Sequence, residues 1–168
     1  MKKILTSAIL LSLTTYTPVS AMQNNTSAAN ITSQQVIELP TLSKQQIFER
    51  SKQWMARTFV SSKQVIQYES LPEGKIIAKG SVGFIGYYTS TLFGPDQGEE
   101  CQSRFTMTED IKDGKARITY DQIMEPECPA VGGFNGIGQA GLGRLKQRLI
   151  SLTDDLSKDL SKIANDTW

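Results

Sequence analysis

Alternating apolar and polar residues between positions 104 and 124 predict a β-hairpin centred on Asp113-Gly114. Asp-Gly is typical of a two-residue type I′ turn, which would place Lys112 opposite Lys115, so that the numbers of facing residues sum to 227. One face is then mainly apolar and comprises Phe105, Met107, Ile111, Ile118, Tyr120 and Met124. The other face comprises Arg104, Thr106, Thr108, Arg117, Thr119 and Asp121. Glu109 and Gln122 interrupt the apolar face, and Ile123 interrupts the polar one.

Upstream of the hairpin, the pattern predicts a strand, a helix and two further strands. The strand covers residues 36–39 and ends at Pro40, and the helix covers residues 44–60. Ser43 is a suitable N-cap that forms a capping-box pattern with Gln46. The apolar residues of the helix share one face, and they are Ile47, Phe48, Trp54, Met55 and Phe59.

The two further strands are predicted at 63–70 and 75–86, joined by a turn at 71–74. The stretch Tyr87–Glu100 contains Gly94, Pro95 and Gly98, and we predict it to be a long loop.

The last predicted element is an amphipathic helix at 143–165 with leucines along one side. We expect it to cover the sheet of its own chain, and a helix that binds a partner is the alternative. The element order is β-α-β-β-β-β-α, which predicts an α+β fold with a five-stranded antiparallel sheet and two helices on one face. Residues 35–168 would form this single domain, and the small, polar residues 22–34 would form a flexible linker before it.

Residues 1–21 have the pattern of a secretory signal peptide. Lys2 and Lys3 precede the apolar run Ile4–Leu13, and Val19-Ser20-Ala21 resembles a cleavage site. We therefore expect cleavage after Ala21 and a periplasmic or secreted protein. No later segment is apolar and long enough to span a membrane, so no transmembrane segment is expected after cleavage.

The two cysteines lie just beyond the strands of the predicted hairpin. In its register Cys101 would face Pro126, two residues short of Cys128, and both cysteines would lie on the apolar face. A modest bend would join them, so we predict a Cys101–Cys128 disulfide in an oxidising compartment. Two free buried thiols are the alternative.

Composition excludes several classes of site. The chain has no histidine, which excludes Ser-His-Asp and Cys-His nucleophilic sites and histidine-ligated metals. Its formal net charge is +1, and removal of Lys2 and Lys3 would make it −1, so a nucleic-acid partner is not expected. We expect no metal and no cofactor.

Two further patterns resemble functional motifs without their usual context. Residues 136–141 match G-x-G-x-x-G, but no parallel βαβ unit surrounds them, and we interpret them as a flexible linker. The adjacent pairs Glu99-Glu100 and Asp154-Asp155 cannot face each other across a cleft, so we interpret them as solvated charges.

Six residues are candidates for binding. Four lie near the predicted loop, where aromatic side chains either contact a ligand or pack beneath the loop: Tyr87, Tyr88, Leu92 and Phe93. Arg104 and Arg117 lie on the polar face of the hairpin, which is either a binding platform or a solvated sheet face.

A helix with a central tryptophan, followed by a hairpin that ends in lysine-glycine, resembles a known bacterial family. The residues that carry this resemblance are Ser43-Lys44, Ile47-Phe48, Arg50, Trp54, Phe59, Val65-Ile66 and Gly74–Gly80. The family is a domain-of-unknown-function family of small exported proteins with a TATA-binding-protein-like (TBP-like) fold. The resemblance implies a curved antiparallel sheet with both helices on one side, and it implies no activity.

These observations favour a non-catalytic exported module that binds an envelope or extracellular protein. An inhibitor of a hydrolase is one alternative. A carboxylate-dependent hydrolase is another, since an enzyme without histidine would have to use carboxylates, lysine or serine brought together by the fold.

Overall fold

The computed structural model describes residues 27–59, 65–91, 94–129 and 137–163. In chain order the elements are β1 (Ser33–Glu38), α1 (Lys44–Thr58), β2 (Ile66–Ser70), β3 (Lys75–Thr91), β4 (Gly94–Lys112), β5 (Lys115–Asp121) and α2 (Gly138–Ile163). The strands form one antiparallel sheet in the order β1-β5-β4-β3-β2. The predicted α+β architecture, with five strands and two helices, is confirmed.

Both helices pack on one face of the sheet and enclose the core. Ser51 of α1 contacts Glu109 of β4, and Thr153 of α2 contacts Tyr120 of β5. Glu109 and Tyr120 point to the same side of the sheet because Glu109 faces Ile118, two residues before Tyr120. The opposite face of the sheet, which we call the open face, carries neither helix.

The predicted register of the β4–β5 hairpin is confirmed. Lys112 faces Lys115, Met107 faces Tyr120 and Glu109 faces Ile118. The turn is not the predicted type I′, which requires a positive φ at both central residues: Gly114 has a φ of 75°, but Asp113 has no positive φ. This combination of φ signs is that of a type II turn, which also favours glycine at its third position.

Beyond the hairpin the predicted alternation is wrong at residues 122–124. Gln122 adopts a left-handed backbone with φ of 47°, which interrupts the ladder after Asp121. Ile123 therefore turns into the core and is 2% exposed, whereas Met124, predicted on the apolar face, is 50% exposed. The alternation of apolar and polar residues along the sequence does not predict such a break.

The same break brings the cysteines together. The chain pairs again at Gln102 and Glu127, and in the register of that bridge Cys101 faces Cys128 directly instead of Pro126. The predicted Cys101–Cys128 disulfide is present, with Cα atoms 4.3 Å apart. Cys101 is completely buried.

The predicted loop at 87–100 is wrong, because β3 and β4 continue as a long antiparallel pair. Tyr87 faces Glu99, and the pairing extends to Thr91 and Gly94, with irregularities after Ile85 and Thr89. In the described chain, the part of β4 that contains Pro95 pairs with β3 but not with β5. This part of β4 therefore has one open edge, where a proline is tolerated although it has no N–H to donate.

The start of the domain also differs from the prediction of a flexible linker at 22–34. Residues 28–30 form a 3₁₀ turn capped by Ser27, and β1 begins at Ser33. Ala28 is completely buried, and its N–H donates to Glu125 Oε1 at 3.1 Å. The buried Ala28 therefore holds residues 27–34 against the core, although their composition is typical of disorder. Residues 22–26 lie outside the described chain.

Local sequence chemistry accounts for α1. Ser43 and Gln46 form the predicted capping box. The backbone N–H of Lys44 donates to Asp113 Oδ1 at 2.7 Å, which joins the start of α1 to the β4–β5 turn. The buried face comprises Ile47, Phe48, Ser51, Trp54 and Met55.

The helix α2 begins at Gly138, five residues before the predicted start at 143. Gly141 belongs to its first turn, and a Cβ there would lie 2.5 Å from the backbone oxygen of Gly86 in β3. Arg144 donates to that same oxygen and to the carbonyl of Ile85. Gly138 and Gly141 thus belong to α2, and Gly141 is packed against β3, so the interpretation of 136–141 as a flexible linker is wrong from residue 138 onwards. Residues 130–136 lie outside the described chain.

Candidate functional site

A cleft of about 630 Å³ opens where the short strands β2 and β5 end beside the longer β3 and β4. We call it the β3–β4 cleft. Its polar lining includes Lys79, Ser81, Arg104, Thr106 and Gln122. Met124 adds exposed apolar surface. The largely buried Phe59 and Phe105, together with Thr58 at the end of α1, line it from the side of the sheet that carries the helices.

Strand register arranges four of these side chains as a compact group on the open face. Lys79 faces Thr106 across the ladder, and Ser81 faces Arg104. Lys79 and Arg104 therefore occupy diagonal corners, where backbone positions are about 7–8 Å apart, with a hydroxyl-bearing residue at each remaining corner. Such a group presents hydrogen-bond donors over a small area.

The polar groups of the cleft are partly fixed by neighbours. Thr106 is nearly buried, and its hydroxyl donates to Gln122 Oε1 at 2.9 Å, which orients the Gln122 amide. Arg104 forms an ion pair with the exposed carboxylate of Glu127. Lys79 is exposed and forms no ion pair with any residue that the structure describes.

Arg117, the second arginine predicted as a binding residue, lies elsewhere on the open face. It donates to Asp110 Oδ2 at 2.7 Å, and Lys75 contacts Asp110 Oδ1 at 3.0 Å. Burial would raise the pKa of Asp110, but the hydrogen bonds and charges of Arg117 and Lys75 together hold that pKa below its ordinary value. Since Asp110 is six residues from Arg104 along β4, the two arginines are separated by about 20 Å and do not form one site.

Tyr87, the aromatic candidate whose side chain the structure describes, lies in β3 and not on the predicted loop. Tyr87 is partly buried against the core, and its hydroxyl donates to the carbonyl of Pro129 at 2.5 Å. It thus fixes the segment that follows Cys128. Leu92, Phe93 and the side chain of Tyr88 lie outside the described residues.

Glu109 is a buried acid that the alternation pattern marked as an exception. It is completely buried, and the hydroxyl of Ser51 donates to its Oε1 at 2.8 Å. Its Oε2 has no hydrogen-bond partner. Burial raises the pKa of Glu109 to about 8, and the Ser51 hydrogen bond opposes this only in part. The single acid among apolar positions was the signal in the sequence, but it did not indicate that the side chain would be enclosed.

The polar groups that line the cleft are ammonium, guanidinium, hydroxyl and amide groups. Its lining contains no carboxylate among the described residues, and Glu109 lies in the core rather than in the cleft. Within the described ranges, no group of three or more His, Cys, Asp or Glu side chains converges as metal ligands. Neither α1 nor α2 has an apolar stretch of the length that crossing a lipid bilayer requires.

Comparison with known families accounts for this fold. Residues 34–125 match the family model described as a domain of unknown function (DUF4468) with TBP-like fold. The chain belongs to the DUF4468 family. The match confirms the resemblance noted in the sequence, and it spans the residues that line the β3–β4 cleft while excluding Cys128 and α2.

Solved structures similar to this DUF4468 protein share its fold at low sequence identity. A DUF4468 family protein from Bacteroides ovatus ATCC 8483 is 15% identical, with a TM-score of 0.53 over 82% of this chain and 86% of that one. A TBP-like protein from Parabacteroides distasonis ATCC 8503 is 12% identical, with a TM-score of 0.52 over 84% of this chain and 99% of that one. No curated protein matches the chain. At these identities the likeness establishes the fold, and the function has to be inferred from the residues of the cleft.

Proposed function

We propose that the protein is a non-catalytic binding module and that its ligand contacts the β3–β4 cleft. The observation that carries the proposal is the combination of Lys79, which lacks an ion-pair partner in the described chain, with the oriented Gln122 amide and the half-exposed Met124. Accessible hydrogen-bond donors beside accessible apolar surface are typical of binding sites.

The proposal includes no catalytic step. General acid–base chemistry without histidine would need a carboxyl group, a lysine or a tyrosine held within reach of a substrate. The carboxyl group with a strongly raised pKa is that of Glu109, which is enclosed between the sheet and α1. Its surroundings favour a role inside the fold.

We further propose that the module acts outside the cytoplasm, in the periplasm or after secretion. The signal-peptide pattern at 1–21 and the Cys101–Cys128 disulfide support this location. Intact mass spectrometry of the exported, non-reduced protein should give a chain that begins at Met22 and lacks two hydrogens. A chain that retains residues 1–21, or that carries two free thiols, would contradict the proposal.

The charge of Lys79 provides a test of the cleft. Lys79→Glu is expected to reduce the recovery of an envelope component bound by immobilised wild-type protein, because it places a negative charge among the donors of the cleft. Lys112→Glu is the matched control: it makes the same change of charge at an exposed position beside the β4–β5 turn. Recovery is measured by quantitative mass spectrometry after confirming that both variants unfold at the same urea concentration as wild type.

Equal recovery by the two variants would exclude the cleft from binding. Failure of wild-type protein to retain anything, together with turnover of a hydrolase substrate by purified protein, would contradict the binding function itself. If the retained component is a hydrolase whose activity the module reduces, the protein is an inhibitor.

A further inference from the structure

Glu109 lies at the centre of the interface between α1 and the sheet. It faces Ile76 on β3 and Ile118 on β5, and both isoleucines are completely buried. From α1 the polar group that reaches it is the hydroxyl of Ser51, which is itself fully buried. A carboxyl group in this position joins α1 to the middle of the sheet.

The surroundings of Glu109 stabilise its neutral form. No lysine or arginine in the described chain forms an ion pair with it, and its Oε2 has no hydrogen-bond partner. The titratable group that interacts with it from β5 is Tyr120, whose hydroxyl lies 3.3 Å from the Thr153 hydroxyl of α2. Burial raises the pKa of Tyr120 to about 12, so this neighbour supplies no charge near neutral pH. A carboxylate here would be desolvated without a counter-charge, which is strongly unfavourable.

We propose that Glu109 is a proton-dependent latch that keeps α1 packed on the sheet while its carboxyl group is neutral. When Glu109 ionises, α1 loosens because the buried charge needs water, and the single hydrogen bond from Ser51 does not replace that solvation. The pKa of about 8 places ionisation in the folded protein at mildly alkaline pH. This inference concerns the fold itself and stands without any ligand of the cleft.

The sign of the pH dependence follows from linkage. In the unfolded chain Glu109 ionises near its ordinary pKa of 4.5, whereas in the folded protein it keeps its proton up to about pH 8. The stabilisation is therefore complete below pH 4.5, declines as the pH rises and is lost above about pH 8. This group alone would change the ratio of folded to unfolded protein by about a thousandfold over that range.

The latch also affects one wall of the cleft, because Thr58 and Phe59 at the end of α1 line it. Movement of α1 would change the shape of the cleft, a consequence that rests on the proposed function.

Hydrogen–deuterium exchange of the full chain, read by mass spectrometry at pH 6 and pH 8.5 and corrected for intrinsic exchange rates, measures the release of α1. Wild-type protein is expected to lose protection in α1 at the higher pH by a larger factor than in the β4–β5 hairpin. Glu109→Gln, which keeps an acceptor for Ser51 and cannot ionise, should retain protection in α1 at both values. Glu49→Gln, at an exposed position on the same helix, should behave as wild type.

Equal protection of wild-type α1 at the two pH values, or an equal loss in Glu109→Gln, would overturn the latch. A second measurement needs no variant: the side-chain carboxyl ¹³C resonance of Glu109 in the native protein should titrate near pH 8. Titration of that resonance near 4.5 would also overturn it.

Discussion

Replacing Trp54 with alanine is expected to lower the free energy of unfolding by about 3–5 kcal/mol, the range for large aromatic residues in cores. Trp54 is 2% exposed and packs edge-on against Phe59 with ring centres 5.5 Å apart. Its indole N–H donates to Asp155 Oδ2 at 2.9 Å, so the side chain also joins α1 to α2. The variant loses the buried ring and leaves a cavity between the two helices and the sheet. Urea denaturation followed by far-ultraviolet circular dichroism measures the loss.

Two variants separate the contributions of Trp54. Trp54→Phe keeps much of the buried ring and removes the hydrogen bond to Asp155, so it should cost less than the alanine variant. Gln53→Ala, at the adjacent exposed position of α1, should change stability by less than about 0.5 kcal/mol. A loss below about 1 kcal/mol for Trp54→Ala would show that the tryptophan is not part of the core.

Removal of the disulfide is the second large effect, with an expected loss of about 3 kcal/mol in the Cys101→Ala, Cys128→Ala double variant. The two cysteines are 27 residues apart in sequence, and the bond closes this loop in the unfolded chain. Much of the loss is therefore expected to arise from the greater freedom of the unfolded state. The difference between the urea midpoints of wild type and double variant gives the value.

Reduction of wild-type protein provides the control for the double variant. Protein kept reduced during unfolding should unfold at nearly the same urea concentration as the double variant, and oxidised wild type at a higher one. Coincident unfolding of oxidised and reduced wild type would show that the bond does not contribute to stability.

Local sequence chemistry predicts the best-defined parts of this fold. The Asp113-Gly114 turn and the alternation around it specify the register of β4 with β5, because a slip of one residue would move every apolar side chain to the other face. The capping box of Ser43 and Gln46 specifies the start of α1 in the same way. In both cases a few adjacent residues contain much of the physical reason for the structure.

Other features depend on contacts that adjacent residues do not reveal. Pro95 is typical of a loop, but here it lies in a strand where it disrupts no second ladder. Gly141 is typical of a flexible segment, but the backbone of Gly86 leaves no room for a Cβ at that point of α2. The left-handed backbone of Gln122 likewise reverses the faces of Ile123 and Met124 without a glycine to mark it.

The candidate site was predictable only in part for the same reason. Arg104 was predicted from the polar face of the hairpin, and it lines the β3–β4 cleft. Lys79 and Gln122 also line the cleft, because β2 and β5 do not extend as far as β3 and β4 at this end of the sheet. The residues of the turns do not specify these relative strand lengths. Arg117 lies on the same face of the sheet as Arg104, but at a different position along the strands.

Protection of Met124 by a bound partner would show directly that the β3–β4 cleft is a binding site. This side chain is half exposed in the cleft, and its thioether is readily oxidised. Hydroxyl-radical footprinting compares its oxidation with that of the exposed Tyr68, which lies outside the cleft lining and reports the radical dose. With the component retained from an envelope extract present, we predict that the ratio of Met124 to Tyr68 oxidation falls; an unchanged ratio while the component is bound would contradict a binding site in the cleft.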